Sequence, residues 1–247
     1  MNLDVLTGLS AGQRLVLFSR CRELIDDVAR PGGRPPVAGL YRSVMLVVCL
    51  LRKNITQEFA GAIFGVSQST VSRRWDRLRP IIRRAVASFV PDPRSVLGGG
   101  TALVDGTITP TWDWRHVPDL FSEKEHMAGM NVQIAAALNG QIAAIGSIAV
   151  HGARHDAHAF GASGLKDLLK GVQTAGDLGY VGVEGVSIVP VKRGAGCDLR
   201  DCDAEFNTDF SKVRAANERA IAHFKTWVCH ERGRELSRPE PSGQRPL

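Results

Sequence analysis

Three acidic residues in the second half of the chain are placed where side chains can do chemistry. Asp105 and Asp177 each end a short apolar stretch that predicts a β-strand, and a glycine follows closely in both cases. A strand end fixes the backbone but leaves the carboxylate at the sheet edge, and the glycine lets a ligand approach. Glu218 lies on a strongly predicted late helix. Since either aspartate alone is also typical of a solvated turn, the hypothesis depends on all three carboxylates meeting.

Three carboxylates that lie close together favour the binding of a divalent metal ion. Mg²⁺ and Mn²⁺ prefer oxygen ligands and keep positions for water or a substrate phosphate. Two such ions explain phosphodiester chemistry, because one activates the attacking oxygen and the other stabilises the leaving oxygen. Arg214 and Lys225 share the helix face of Glu218. We therefore predict Asp105, Asp177 and Glu218 as catalytic metal ligands, and Arg214 and Lys225 as phosphate-binding residues.

Residues 56–75 predict a helix, a tight turn and a second helix. Gly65 allows the chain to reverse, and Ser67 can cap the second helix through its hydroxyl group. The start of the second helix in such a motif enters the major groove of DNA. We predict base contacts for four polar residues, and phosphate or guanine contacts for two arginines. These residues are Ser67, Gln68, Ser69, Thr70, Arg73 and Arg74. The alternative is an ordinary helical hairpin with a solvated basic face.

The rest of the pattern supplies the elements that position these residues. Helical spacing of apolar residues predicts helices over 10–29, with Ser10 as N-cap, and over 40–52. Prolines and glycines in 91–100 predict a linker. Strands are then predicted over 101–105, 130–138 and 141–150, with an Asn139-Gly140 turn between the last two. A helix over 156–169, strands over 173–177 and 186–191, and a helix over 211–228 complete an α/β order. We assign 1–94 to an all-α helix-turn-helix domain, 101–230 to an α/β catalytic domain and 231–247 to a disordered tail.

Charge is divided unevenly along the chain. The net charge of the 247 residues is +6, but residues 1–94 hold 15 Lys and Arg against 7 Asp and Glu, and the remainder holds 16 against 18. A basic first part indicates contact with a polyanion, and the acidic remainder suits chemistry that needs carboxylates. The longest apolar run, 44–51, is too short to span a bilayer, and the first residues do not form a secretory signal. We expect a bacterial cytoplasmic protein without a membrane partner.

Two other groups of candidate ligands are weighed against the carboxylates. Five cysteines form no compact disulfide framework, and a zinc site of Cys197, Cys202, His223 and His230 matches no common spacing, so free thiols are the simpler interpretation. His151, His155, Asp156 and His158 could bind a transition metal, although His155-Asp156 also suits a capped turn at a helix start. The sequence contains no nucleophile elbow and no phosphate-binding Gly-x-x-x-x-Gly-Lys. Nucleotide hydrolysis is therefore not expected.

Several of these motifs resemble those of the insertion-sequence transposases. The spacing of Ser211, Arg214, Glu218 and Lys225 is similar to the family's signature around its catalytic glutamate, with Ser211 in place of tyrosine. Val104-Asp105-Gly106-Thr107 resembles the first-aspartate motif, and Gly176-Asp177-Leu178-Gly179-Tyr180 the second, with Leu178 where lysine is common. Glu123 stands where glycine is usual. The resemblance implies a ribonuclease-H-like catalytic domain with an Asp, Asp, Glu triad and Mg²⁺ or Mn²⁺, preceded by a helix-turn-helix domain.

The resemblance also implies a function. We expect a transposase that binds the ends of its own element as a homo-oligomer, cleaves there and joins the freed 3′ ends to target DNA. The alternatives are a catalytically inactive, repressor-like DNA-binding remnant and a host nuclease. Because the resemblance is expected to stop after Trp227, we also expect a shortened C-terminus and weakened transposition.

Overall fold

The computed structural model describes residues 2–26, 39–110, 120–122 and 126–227. The chain forms two compact units, and their boundary falls between Val90 and Pro91. Trp227 belongs to the first unit, and its ring lies beneath the Arg52 guanidinium at 5.1 Å from the ring centroid. No helix in the described residues is long and apolar enough to cross a membrane.

The first unit consists of helices. They are α1 (Leu3–Thr7), α2 (Ala11–Asp26), α3 (Leu40–Lys53), α4 (Gln57–Phe64) and α5 (Gln68–Ala87). At the start of α2, Ser10 and Gln13 each accept a hydrogen bond from the other's backbone N–H, which confirms the predicted capping role of Ser10. Residues 27–29 of the predicted helix lie outside the described residues.

Helix α3 forms the centre of the helical unit. Every residue from 43 to 50 is buried, because the apolar run of this helix is contacted from several sides by the other helices. Cys21, Phe64 and Leu78 pack against it from α2, α4 and α5. The prediction of a buried helix here is confirmed, and the buried helix fixes the position of the α4–α5 pair.

The second unit is a mixed α/β structure. Its strands are β1 (Ala102–Pro110), β2 (Phe121–Ser122), β3 (Met127–Ala136), β4 (Ile142–Ile145), β5 (Val150–His151) and β6 (Thr174–Ala175). Its helices are α6 (Pro93–Leu97), α7 (Asp156–Ala162), α8 (Leu165–Leu168) and α9 (Asp201–Lys225). Strand β3 lies antiparallel to β1 on one side and to β2, β4 and β5 on the other, and β6 lies parallel to the free side of β1.

Helices cover both faces of this sheet. On one face, α9 places Phe210 against Leu103 of β1 and Phe224 against Ile134 of β3. On the opposite face, Phe160 of α7 packs with Val104. Because side chains alternate along a strand, Asp105 shares the α9 face with Leu103, whereas Gly106 belongs to the α7 face.

The structure corrects several expected elements. The single strand expected over 141–150 is two strands, β4 and β5, and the strand expected over 101–105 continues to Pro110 as β1. The strand expected over 186–191 is wrong in extent, because only Ile188 bridges Ala175, and Pro190 has no N–H to continue a ladder. The helix expected over 156–169 is divided in two at Gly164, where φ is +76°. Helix α9 begins at Asp201 rather than at 211, with acidic residues in its first turn. The expected linker 91–100 contains α6, and its Leu97 is buried in the core.

Candidate functional site

Strand β1 places Asp105 beside α9, where its side chain is partly buried. The side chain is 19% exposed. Its Oδ1 accepts a hydrogen bond of 2.8 Å from the backbone N–H of Gly106, which fixes the carboxylate close to its own strand. Its Oδ2 accepts a hydrogen bond of 3.3 Å from Nη2 of Arg214 on α9. The carboxylate is therefore positioned both by the sheet and by the helix that covers it.

Asp177 reaches the same place from the neighbouring strand. It follows β6 and caps the short 3₁₀ helix Leu178–Tyr180, accepting a 2.8 Å hydrogen bond from the Gly179 N–H. Because β6 is parallel to β1 with Leu103 opposite Ala175, Asp177 lies level with Asp105, which is within β1 and not at a strand end as expected. Asp177 Oδ2 lies 3.9 Å from Nη2 of Arg214, the atom that also contacts Asp105. Two predicted metal ligands and one predicted phosphate-binding residue thus meet.

The electrostatics of Asp105 reflect this crowding. Burial raises the pKa of its carboxyl group to about 6, and the nearby carboxylates of Asp177 and Asp156 act in the same direction. Arg214 and the Gly106 N–H lower this pKa but only partly offset the effect of burial. A buried carboxylate among other carboxylates is a place where additional positive charge is favoured.

Glu218 and Lys225 do not contact the cluster of Asp105, Asp177 and Arg214. Both residues lie on exposed parts of α9, although Glu218 is one helical turn after Arg214. Within the described part of the chain, Glu218 makes no hydrogen bond or ion pair, and no three His, Cys, Asp or Glu side chains are grouped as a metal site. The structure therefore brings Asp105, Asp177 and Arg214 together and leaves Glu218 and Lys225 outside their contacts.

Asp156 is a further acidic residue at this site. It is the first residue of α7, and its Oδ1 accepts hydrogen bonds of 2.8 Å from Asn131 and 3.3 Å from Gln133. Gln133 in turn accepts a 2.7 Å hydrogen bond from the Tyr180 hydroxyl group. A Cβ atom on Gly106 would lie 2.1 Å from Asp156 Oδ1, so the missing side chain makes room for the carboxylate.

Asp156 also belongs to the alternative metal group predicted with His151, His155 and His158. The described residues do not bring these four side chains together as a metal group. His155 is at the N-cap of α7 and makes no capping bond through its side chain. The missed signal is a pair of amides, Asn131 and Gln133, at alternate positions of an otherwise apolar strand.

The helix-turn-helix forms as the turn chemistry predicts. Thr56 caps α4 by accepting a hydrogen bond from the Phe59 N–H, and Ser67 caps α5 by accepting one of 3.3 Å from the Thr70 N–H. Gly65 adopts φ of +63°, which a residue with a side chain rarely does. A Cβ on Gly61 would lie 2.6 Å from the carbonyl oxygen of Val66, so the turn packs closely against α4.

The predicted DNA-contacting residues lie on the first turns of α5. Ser67, Gln68, Ser69 and Arg73 are exposed, and Arg73 donates a 3.3 Å hydrogen bond to the Thr70 hydroxyl group. Burial lowers the pKa of Arg74, and the charges of Arg77 and Arg73 lower it further. The three arginines therefore lie close enough on α5 for their charges to interact. All six predicted DNA-contacting residues lie at the cap or in the first two turns of α5.

Comparisons with known proteins agree over both units. A family model described as "DDE superfamily endonuclease" matches residues 104–244, and one described as "Helix-turn-helix of DDE superfamily endonuclease" matches residues 42–87. The chain is 32% identical over 225 residues to "Putative transposase for insertion sequence element IS112" of Streptomyces albus G, covering 90% of this chain and 82% of that protein. No solved structure matches. Because the first match continues to residue 244, the expected end of the resemblance at Trp227 is wrong. The chain belongs to the DDE superfamily endonucleases and is an insertion-sequence transposase by family.

Proposed function

We propose that this protein binds the ends of its own element, cleaves the DNA there and joins the freed 3′ ends to a target. The observation that carries the proposal is the meeting of Asp105 and Asp177 at one atom of Arg214, in a domain of the DDE endonuclease family. Two neighbouring strands and one covering helix supply three groups suited to phosphate chemistry. The work on DNA would take place in the bacterial cytoplasm.

We further propose that the second unit has the ribonuclease-H-like fold. The support is its strand order, in which an antiparallel group of β4, β5 and β3 is followed by β1 and then by the parallel strand β6. Ile188 continues the sheet with a parallel bridge beyond Ala175. Helices cover both faces of the sheet, as is usual where a sheet contains parallel strands.

The donor groups present fit a divalent cation. Asp105 and Asp177 both direct a carboxylate oxygen at one positively charged group, and the pKa of Asp105 is raised by its environment. Carboxylate oxygens are the ligands that Mg²⁺ and Mn²⁺ favour. Asp105, Asp177 and Glu218 would hold the ion or ions. When bound, such a metal polarises the phosphate and makes the attacking oxygen a stronger nucleophile.

The remaining roles belong to side chains of this unit. Arg214 offsets the charge of the two aspartates, and from that place it can bind a phosphate oxygen. Lys225 ends the same helix and can hold the DNA backbone. Asp156 is held in place by hydrogen bonds from Asn131 and Gln133.

In the first unit, α5 would enter the major groove of the element's end. Ser67, Gln68, Ser69 and Thr70 would contact bases, and Arg73 and Arg74 would contact phosphates. Two ends must be held together for strand transfer, so we propose that the protein acts as a homo-oligomer on DNA.

One observation favours a second candidate function, a DNA-binding protein without catalysis. Glu218 is exposed and has no hydrogen bond or ion pair to any described residue. The test is an excision assay on a plasmid that carries the inverted repeats flanking the gene. We expect excision by the wild type and none by Asp105→Ala, Asp177→Ala or Glu218→Ala, with DNA binding retained by all. Binding without excision by the wild type would support the inactive protein instead.

A further inference from the structure

One hydrogen bond joins the first residues of the two helices of the helix-turn-helix. Nε2 of Gln68, at the start of α5, donates to Oε1 of Gln57, at the start of α4, at 2.8 Å. Gln68 is exposed and Gln57 is half-buried. An exposed glutamine normally has several rotamers, so a partner 11 positions earlier in the chain restricts it in a way that the helix alone does not.

We infer that Gln57 is a positioning residue that holds Gln68 ready to recognise an adenine in the major groove. This inference rests on the proposed DNA recognition by α5 and specifies one of its bases. Gln57 does not contact the base in this account; it acts through Gln68.

The donors and acceptors of Gln68 select the base. Its amide has two N–H donors and one acceptor oxygen, and one donor is used by Gln57. The other N–H and Oε1 match the N7 acceptor and the N6 donor of adenine, the pair that a bidentate glutamine contact requires. Guanine presents two acceptors, N7 and O6, so its O6 would face the Oε1 of Gln68 without a proton between them.

Among the polar residues at the start of α5, Gln68 is the one available for the adenine contact. The Ser67 hydroxyl lies 3.1 Å from that of Ser69 and 3.0 Å from that of Thr70, so these side chains hydrogen-bond among themselves. Within the described part of the chain, Gln68 bonds through its side chain only to Gln57.

The two glutamines are held by rigid elements. Each follows a capping residue, Thr56 or Ser67. The turn between the helices packs so closely against α4 that only glycine fits at position 61. The distance between the two helix starts therefore varies little. A side chain already ordered before binding loses less conformational entropy when it meets the base.

The test selects bound duplexes from a library with a randomised central segment, using the full chain and its Gln57→Met, Gln68→Met and Gln141→Met variants. Methionine keeps the length and helix propensity of glutamine and removes the amide. Gln141 is an exposed glutamine in the second unit and is the matched control. Thermal unfolding of each variant monitors the fold separately.

We expect the wild type and Gln141→Met to select one A·T position that Gln68→Met no longer prefers, with the neighbouring positions unchanged. The lost preference should be about five- to 150-fold, the range for one bidentate contact. Gln57→Met should weaken the preference at that same position by about two- to twelvefold, the range for one hydrogen bond. A residue that only braced the two helices would alter the unfolding temperature and leave this base preference intact.

Three outcomes would overturn the inference. If Gln57→Met retains the full adenine preference, Gln57 has no positioning role. If the position that Gln68→Met relaxes is not A·T, the assignment of adenine is wrong. If the wild type selects no sequence above non-specific binding, the proposed DNA recognition fails and this inference fails with it, a result distinct from the other two.

Discussion

The partly buried carboxyl group of Asp105 should make the second unit less stable at neutral pH. Its pKa is raised from the ordinary 3.8 to about 6, with burial as the main cause. Since the folded state binds this proton more tightly than the unfolded state, stability is lost as the pH rises through the interval between these values. One pKa unit corresponds to about 1.4 kcal/mol, so the loss above pH 7 is about 3 kcal/mol.

Asp105→Asn should recover this free energy. The amide oxygen can still accept from the Gly106 N–H, and the side chain carries no charge at any pH. We expect the variant to exceed the wild type by up to about 3 kcal/mol at pH 7.5 and by less than about 1 kcal/mol at pH 4, where Asp105 is protonated. Urea titrations at the two pH values, followed by circular dichroism, measure the difference, and hydrogen exchange of 102–110 assigns it to the second unit.

The matched control is Asp167→Asn, an exposed position on α8 in the same unit. We expect it to show no gain in stability at pH 7.5 comparable to that of Asp105→Asn. Added Mg²⁺ should stabilise the wild type and have little effect on Asp105→Asn, because a ligand that binds the folded state stabilises it. A difference between wild type and Asp105→Asn that does not change with pH would refute the reasoning.

Three further predictions concern single positions. Gly106→Ala should lower the free energy of unfolding by about 1–3 kcal/mol, because the added Cβ would displace Asp156. Gly161→Ala, at a position with open space around it, should not lower it, and thermal unfolding compares the two variants. Ser67→Ala should cost the first unit about 1 kcal/mol by removing the cap of α5, and an unchanged unfolding curve would contradict that role. Arg73→Ala should reduce the salt dependence of DNA binding by about one unit of slope, and an unchanged slope would show that Arg73 does not contact phosphate.

Local chemistry predicted helices α2 to α4 and the start of α5, but not the short helix α1. The apolar run of α3 favours a buried element, and Gly65 and Ser67 specify their turn through backbone and capping preferences. Asp105 and Asp177 were found because each follows a short apolar run. These features depend on residues near one another in sequence.

The contacts across the sheet could not be predicted in the same way. The position of Arg214 beside both aspartates depends on how α9 packs on β1. The position of Asp156 depends on the absence of a side chain at Gly106. The run 186–191 has strand-forming residues, yet pairing is limited to Ile188 because tertiary context overrides propensity. Such features involve residues distant in sequence, and a periodic pattern does not encode their partners.

The most direct measurement of the central claim is strand cleavage by the purified full chain on a duplex that carries the element's own end. With Mg²⁺ present we expect cleavage that a chelator stops, and we expect Asp105→Asn, Asp177→Asn and Glu218→Gln each to abolish it while DNA affinity is retained. Undiminished cleavage by any of the three variants would contradict the assignment of that residue, and specific binding without cleavage by the wild type would contradict the catalytic account as a whole.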